Sequence, residues 1–300
     1  MIIPIIRKAK TSLTFRAQGG WQSLSRAVRH LRRRVVRIDE SEVKAALNEL
    51  GDFRADILLV HSSLSGCGQL VGGAAMVVEV LESWIGPRAL VMPTHTYCYP
   101  GSDGKAPVYD SCLTGSLVGA ITDYFWRQPG VVRSTHPTHS LACRGQGSAE
   151  ICAGHDLCDT PCGMGTPYEK LVTRDTAVLM FAATMNTYTL FHTAEDAAHV
   201  PYLYEPKLCC LSLRSADGSV KPFPMRRQNM RVPRAFQEMA VWLQERSLLV
   251  RRELGRGELL FIPDAARVHK LIVQEMRKDP CFLVAHSARA GLTRTVQKEL

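Results

Sequence analysis

Apolar positions recur along this chain in two rhythms. Ile57-Leu58-Leu59-Val60, Ala89-Leu90-Val91-Met92 and Ala177-Val178-Leu179-Met180-Phe181 are continuous runs with no polar alternate. Strands take that form when both faces of their sheet are covered. The second rhythm steps by three and four, as one face of a helix does. It predicts helices over Val43 to Leu50, Ala74 to Trp84, Leu117 to Trp126, Phe191 to His199, Arg234 to Glu253 and Asp264 to Arg277. The first of these has Asp39 or Ser41 as its cap and Gly51 as its stop. The strand–helix–strand succession from Ile57 to Met92 is a βαβ unit. Two apolar runs in the tail, Leu259 to Ile262 and Phe282 to Val284, look strand-like. Cys209 to Leu213 and Val220 to Phe223 flank Asp217-Gly218 as a hairpin. The expected fold is α/β: a central, mostly parallel sheet flanked by helices in three layers, with a small β excursion near residues 205–230.

The N-terminal segment reads differently. Trp21, Leu24, Val28, Leu31 and Val35 repeat at helical steps, with Arg26, Arg29, Arg32, Arg33 and Arg34 between them. This basic amphipathic helix suits an anionic membrane surface or an acidic partner, and equally a face packed on its own domain. Residues 1–37 are therefore expected to form an arm and residues 38–300 the functional domain.

Composition narrows the class. The chain has 300 residues, 46% hydrophobic and 22% charged, which excludes a collagen, a coiled-coil rod and a disordered chain. Net charge is +9, yet residues 1–37 hold ten Lys/Arg and no acid, leaving 27 basic against 28 acidic residues beyond them. The basic balance is local, so it does not argue for nucleic acid. No apolar stretch approaches the roughly 20 residues that span a bilayer, and no secretory signal is evident. The expected location is the cytoplasm, where the ten cysteines stay reduced. Cys152, Cys158 and Cys162, with His155 between, lack the spacing of a zinc knuckle, so no metal is expected.

Chemistry concentrates in loops that follow the buried strands. His61 to Gly73 carries glycines at the carboxyl end of a strand and opens a helix, where α/β sheets bind ligands. A helix start of this kind can hold phosphate, but the glycine spacing is one residue too long for the dinucleotide fingerprint and no Walker lysine follows. A purely structural turn fits as well. Pro93-Thr94-His95-Thr96-Tyr97 lies on the same rim, and Arg133-Ser134-Thr135-His136-Pro137-Thr138-His139-Ser140 forms a rigid polar loop. Pro161 to Tyr168 is rich in turn residues. Phe191-His192-Thr193-Ala194-Glu195-Asp196 opens a helix, with His192 and Glu195 three apart on one face.

Five of these motifs occur in one order: Leu59-Val60-His61-Ser62-Ser63-Leu64; Pro93-Thr94; Arg133-Ser134 with His136 to Ser140; Pro161-Cys162-Gly163 with Pro167-Tyr168; and Thr189 with His192 and Glu195. That order resembles the aminoglycoside 3-N-acetyltransferase family, the antibiotic N-acetyltransferases, over roughly residues 52–285. It does not resemble the GNAT superfamily. The resemblance implies acyl transfer, by default acetyl, from a coenzyme A thioester to an amine of an amino sugar or aminoglycoside. It implies His61, Ser62, Ser63, Gly72, Gly73, Thr94, Arg133 and Ser140 on the donor path. It makes His192 the general base and Glu195 its acidic neighbour. Asp110 would face the amino sugar, although Ser111-Cys112 replaces the usual proline after it; Tyr97 and Asp196 complete the expected acceptor side. A homodimer is the expected assembly.

The chemistry of the residues agrees. A sugar ammonium must lose a proton to attack, and imidazole titrates near neutrality. The near-neutral body favours a biosynthetic amino sugar over a polycationic antibiotic as acceptor. Three rivals stand beside this reading. One is an acyl-enzyme on Cys67 or Cys162. Another is a zinc hydrolase built from some of His61, His95, His136 and His139. The third is a non-catalytic scaffold anchored through residues 1–37.

Overall fold

The structure is a computed structural model that describes residues 36–101, 106–215, 217–289 and 292. Most of the predicted helix within residues 1–37 lies outside them. The chain enters through a short strand, β1 (Arg37–Ile38), and the helix α1 (Glu40–Asn48). Asp39 caps α1: its carboxylate accepts from the Ser41 and Glu42 amides, and Glu42 returns to the Asp39 amide. This reciprocal box satisfies donors that a helix start otherwise leaves unpaired. Next come β2 (Ile57–Ser62), β3 (Gln69–Leu70), α2 (Gly73–Ile85) and β4 (Ala89–Pro93). β2, α2 and β4 are the expected βαβ unit, with parallel partners such as Ile57 and Ala89.

The chain continues through β5 (Val108–Tyr109), α3 (Ala120–Trp126), β6 (Val132–Arg133), β7 (Leu141–Arg144), α4 (Ser148–Cys152), α5 (Pro167–Val172), β8 (Thr176–Phe181) and α6 (Leu190–Ala197). It closes with β9 (Tyr204–Arg214), β10 (Val220–Gln228), α7 (Met239–Glu245), β11 (Val250–Leu254), β12 (Gly257–Ile262) and α8 (Ala265–Lys278).

The central sheet has the order β11-β12-β8-β2-β4-β7-β6. Only β8, β2 and β4 pair in parallel. The remaining pairings are antiparallel, so the sheet is mixed rather than mostly parallel. The reason is the connections. β11 meets β12 across a two-residue turn at Gly255, and β6 meets β7 across a short loop, whereas parallel neighbours require a long crossover.

Alternation along the strands builds three layers. Ile57, Leu59, Val91 and Met180 face a core completed by α4 to α8. Leu58, Val60, Met92 and Phe181 face a second core under α1, α2 and α3. The β excursion is the predicted hairpin, β9 with β10, to which β5 adds in parallel. It encloses a small cluster of Cys98, Tyr109, Leu211, Leu213, Phe223 and Met225.

Two local expectations change. The helix predicted over Arg234 to Glu253 stops at Glu245, because Ser247 turns into the left-handed region at φ 54 and the chain returns as β11. The run Phe282 to Val284 makes only an isolated bridge, between Val284 and Arg234, though Leu283 and Val284 are fully buried. At the chain entry, the amide of Gln69 donates to Val36 O and that of Val71 to Ile38 O, and Ile38 is fully buried.

Candidate active site

The carboxyl ends of β2 and β4, the turn before α6 and the end of β10 converge on one cavity of about 390 Å³. His61 and Ser62 reach it from β2, and His95 and Tyr97 from the loop after β4. Asn186, Thr187, Tyr188, Thr189 and His192 come from the turn before α6 and its first residues, and Arg227 and Gln228 from the hairpin. A shallower groove beside it is lined by Ser62, Ser63, Leu64, Ser65, Gly119, Ala120 and residues 182–184. The two share Ser62, Val118 and Thr187, so they form one continuous path. Two residues on the path adopt left-handed backbone, Tyr97 (φ 47) in the cavity and Ala182 (φ 49) in the groove. Such strain collects at sites the surrounding structure holds in place.

His192 dominates the chemistry. Its Nδ1 lies 2.6 Å from Glu195 Oε2, and the other carboxylate oxygen lies 3.0 Å from Arg234 Nε. Glu195 is fully buried. Burial opposes its charge, but the hydrogen bond from His192 and the Arg234 guanidinium outweigh it and hold the carboxyl below its usual range. An ionised carboxylate only accepts, so Nδ1 carries a proton, and in the neutral imidazole Nε2 is then the acceptor. Arg234 is fixed in turn by the carbonyls of Asn229 and Val232. Nothing in local sequence spacing links Arg234 to α6, so sequence reading missed it.

A cluster of buried imidazoles runs inward from the cavity wall, where His95 and His139 line it. His95 contacts His139 and His136 contacts His155, each pair at 4.4 Å between centroids. Tyr168 packs between His95 and His155. Burial lowers the affinity of His61, His95 and His155 for a proton to a pKa of about 3. His136 and His139 fall well below the ordinary value for the same reason. Two of the rings are held by protein partners: His95 by the phenols of Tyr97 and Tyr168, and His136 through Nδ1, which accepts from two backbone amides. Among the described residues, no group of three or more His, Cys, Asp or Glu is placed to hold a metal ion.

The other expected site residues divide sharply. His61, Ser62 and Ser63 line the path, and His61 Nε2 and Ser62 Oγ are buried without a protein partner. Thr94, Arg133 and Ser140 were expected on the donor path, but the structure engages them with each other. Arg133 Nε donates to the Thr94 and Ser140 hydroxyls, and Nη2 to the Thr94 carbonyl. The Arg133 guanidinium stacks between Tyr109 and Trp126. Both hydroxyl residues are fully buried, and the three brace the loop after β4 without lining the cavity or the groove.

Gly72 and Gly73 start α2 with φ 89 and 64 and line neither cavity nor groove. Their place in the sequence suits a turn that only glycine makes cheaply. Asp110 also lies off the cavity, its carboxylate accepting from the Cys112 and Leu113 amides and facing Arg214 at 3.4 Å. Asp196 accepts from the Tyr204 hydroxyl at 2.6 Å. Of the acceptor residues, only Tyr97 lines the cavity. The two cysteines of the acyl-enzyme alternative are fully buried, and burial together with the Asp196 and Glu195 charges drives the Cys162 thiol well above its usual range.

Comparison with known proteins converges on one family. The aminoglycoside 3-N-acetyltransferase profile matches residues 59–276. Aminoglycoside N(3)-acetyltransferase IX of Micromonospora chalcea is 30% identical over 179 residues, 54% of this chain and 63% of that protein. Aminoglycoside N(3)-acetyltransferase III of Acinetobacter baumannii is 30% identical over 174 residues, 53% of this chain and 60% of that protein. The chain thus spans less than two thirds of the length of these curated relatives. The structure of an aminoglycoside acetyltransferase AAC(3)-IVa bound to a gentamicin superposes with a TM-score of 0.72 at 25% identity, covering 85% of this chain and 94% of that one. An AAC-IIIb structure with CoASH shares the fold at a TM-score of 0.71 and 22% identity, covering 81% and 97%. With the family profile matching well over half of its length, this chain belongs to the aminoglycoside 3-N-acetyltransferase family.

Proposed function

We propose that this protein is an acyl-CoA-dependent N-acyltransferase that moves an acetyl group to an amine of an amino sugar or aminoglycoside, with His192 as general base. The observation that carries this reading is the His192–Glu195–Arg234 chain at the cavity wall. Because Nδ1 is committed to Glu195, Nε2 is the atom free to take a proton from the acceptor ammonium, which frees the amine lone pair to attack. Glu195 fixes the tautomer and steadies the imidazolium that results; Arg234 keeps Glu195 ionised.

Acetyl-CoA fits the groove at Ser62 to Ser65, which joins the cavity at Ser62. When bound, it would supply the acyl group as a thioester: the amide C–N bond forms as the C–S bond breaks, and coenzyme A leaves as a thiolate that takes up a proton to give the free thiol. The unpartnered His61 Nε2 and Ser62 Oγ sit at that junction, where a polar ligand would satisfy them. Direct transfer needs no covalent nucleophile, which accords with the burial of Cys67 and Cys162.

The reading keeps the chain apart from the GNAT superfamily, places it in the cytoplasm, and treats residues 1–37 as an arm suited to an anionic surface or acidic partner. Among the described residues, no helix is long and apolar enough to cross a membrane. A homodimer remains the proposed assembly. The deciding experiment follows thiol release from acetyl-CoA across a panel of amines. Release that depends on an amine, and vanishes in His192→Asn, supports the reading; amine-independent hydrolysis or no release would overturn it.

A further inference from the structure

Resting on the acyltransfer reading, we infer that the acceptor is an anionic amino sugar, with a phosphate held by Arg227, rather than a polycationic one. Among the described residues, no carboxylate lines the cavity, and Arg227 is the charged side chain that does. The acids that sequence reasoning sends there are engaged elsewhere: Asp110 by Arg214 and two amides, Asp196 by Tyr204. A second and third ammonium buried in such a cavity would find no counter-charge, which is costly.

The hairpin wall carries the opposite invitation. The Arg227 guanidinium carbon lies 4.5 Å from the Tyr99 ring centroid, and among the described residues its ion-pair partner is Glu205, 4.0 Å from Nε. With that contact at Nε and 41% of the side chain exposed, the guanidinium keeps further donors for a ligand. A planar guanidinium suits phosphate, which it can grip by two hydrogen bonds. Lys207 and Arg231 line a shallow depression beside it with Glu205 as the lone acid, so the positive field continues past the mouth. Tyr97, 44% exposed, and Met230, 74% exposed, offer apolar surface at the same mouth for a sugar or nucleobase to cover. A nucleoside diphosphate-linked amino sugar has all three features: one amine, a phosphate pair and a flat base.

The test uses the full chain loaded with coenzyme A. Calorimetry measures binding of a uridine diphosphate-linked amino sugar, the same amino sugar without its nucleotide, and gentamicin. Thiol release from acetyl-CoA is followed with each. The nucleotide-linked sugar is expected to bind about 10- to 100-fold more tightly than the free sugar, the size of one or two charge-assisted contacts. Arg227→Glu should abolish that advantage and Arg227→Lys restore part of it, the loss appearing in KM more than in kcat. Tighter binding of gentamicin, or an advantage untouched by Arg227→Glu, would overturn the inference. Failure of the tightest-binding amine to release thiol would instead overturn the acyltransfer reading, because binding is measured separately.

Discussion

Glu195 and Arg234 are 39 residues apart in sequence, yet the Arg234 guanidinium sits 3.0 Å from the carboxylate and is itself almost fully buried. The pair does what neither could do alone. A carboxylate with no exposure would tend to take up a proton if unpaired, and a neutral Glu195 would offer the imidazole beside it no counter-charge. The geometry that α6 presents to the cavity therefore depends on the segment between the hairpin and α7.

His192→Asn should lower turnover by about 100- to 10,000-fold, the usual size of a general-base contribution. Donor affinity should stay near its original value, because the imidazole faces the amine. In the wild type, kcat/KM for the acceptor should show a limb that rises with pH, and that limb should be missing from the variant. Steady-state kinetics across pH checks this; near-normal turnover in the variant would remove His192 from the mechanism.

Arg234→Met should both destabilise the fold and slow the reaction. Removing one partner of a buried ion pair costs about 3–5 kcal/mol, because the remaining charge is stranded. The Glu195 carboxyl should then titrate higher, towards neutrality, and His192 lose its anionic anchor. Urea unfolding and kcat, measured on Arg234→Met and Arg234→Lys together, separate the effects: lysine should recover more stability than orientation, since it lacks the fork.

Much of this was legible before any coordinates. The unbroken apolar runs at Ile57, Ala89 and Ala177 became β2, β4 and β8, and the Asp217-Gly218 signal became the hairpin turn. The three-residue spacing of His192 and Glu195 predicted their contact, since helix geometry alone decides it. Edge strands were harder. β6 and β7 are short, and β11 carries Arg251, Arg252 and Glu253 on a half-exposed edge, so a charged run looked like the end of a helix. Arg234 and Arg227 were invisible as site residues because only the fold brings β10 and its following loop against α6. Thr94, Arg133 and Ser140 show the converse: a shared motif marks residues that matter without saying whether they touch ligand or hold the loop that does.

Acid should unfold the protein earlier than its carboxylates alone would require. His61, His95 and His155 have folded pKa values of about 3 against about 6.5 in the unfolded chain. Below pH 6.5 the unfolded state binds protons the folded state refuses, so this stability is complete above that value and drains as pH falls towards 3. Each such histidine contributes a slope approaching 1.4 kcal/mol per pH unit. Urea midpoints between pH 7 and 5, above the carboxylate range, should fall steadily. A flat profile there would mean the cluster is hydrated or already charged.

Thiol chemistry gives an independent check on direct transfer. Cys162→Ala should retain turnover within a few-fold and show only a modest packing loss, since its buried thiol is held far from the thiolate form. Mass spectrometry of enzyme mixed with acetyl-CoA and no acceptor should find no acetylated cysteine. A stable acyl adduct on Cys162 or Cys67, lost together with activity on mutation, would establish the acyl-enzyme route instead.

Gly66 offers a test of the donor groove that leaves the imidazole untouched. A Cβ at this position would stand 2.0 Å from the backbone oxygen of Ala182, which no side-chain adjustment can relieve. Gly66→Ala must therefore push the loop after β2 away from Ala182, a left-handed residue lining the groove beside Ser63 and Leu64. The expected result is a lower melting temperature and a smaller upward shift on adding coenzyme A, since ligand stabilisation falls as its affinity falls. Acceptor binding at the far wall, around Arg227 and Tyr99, should change much less. If Gly66→Ala keeps its full coenzyme A shift while acceptor affinity collapses, the assignments of groove and cavity must be exchanged.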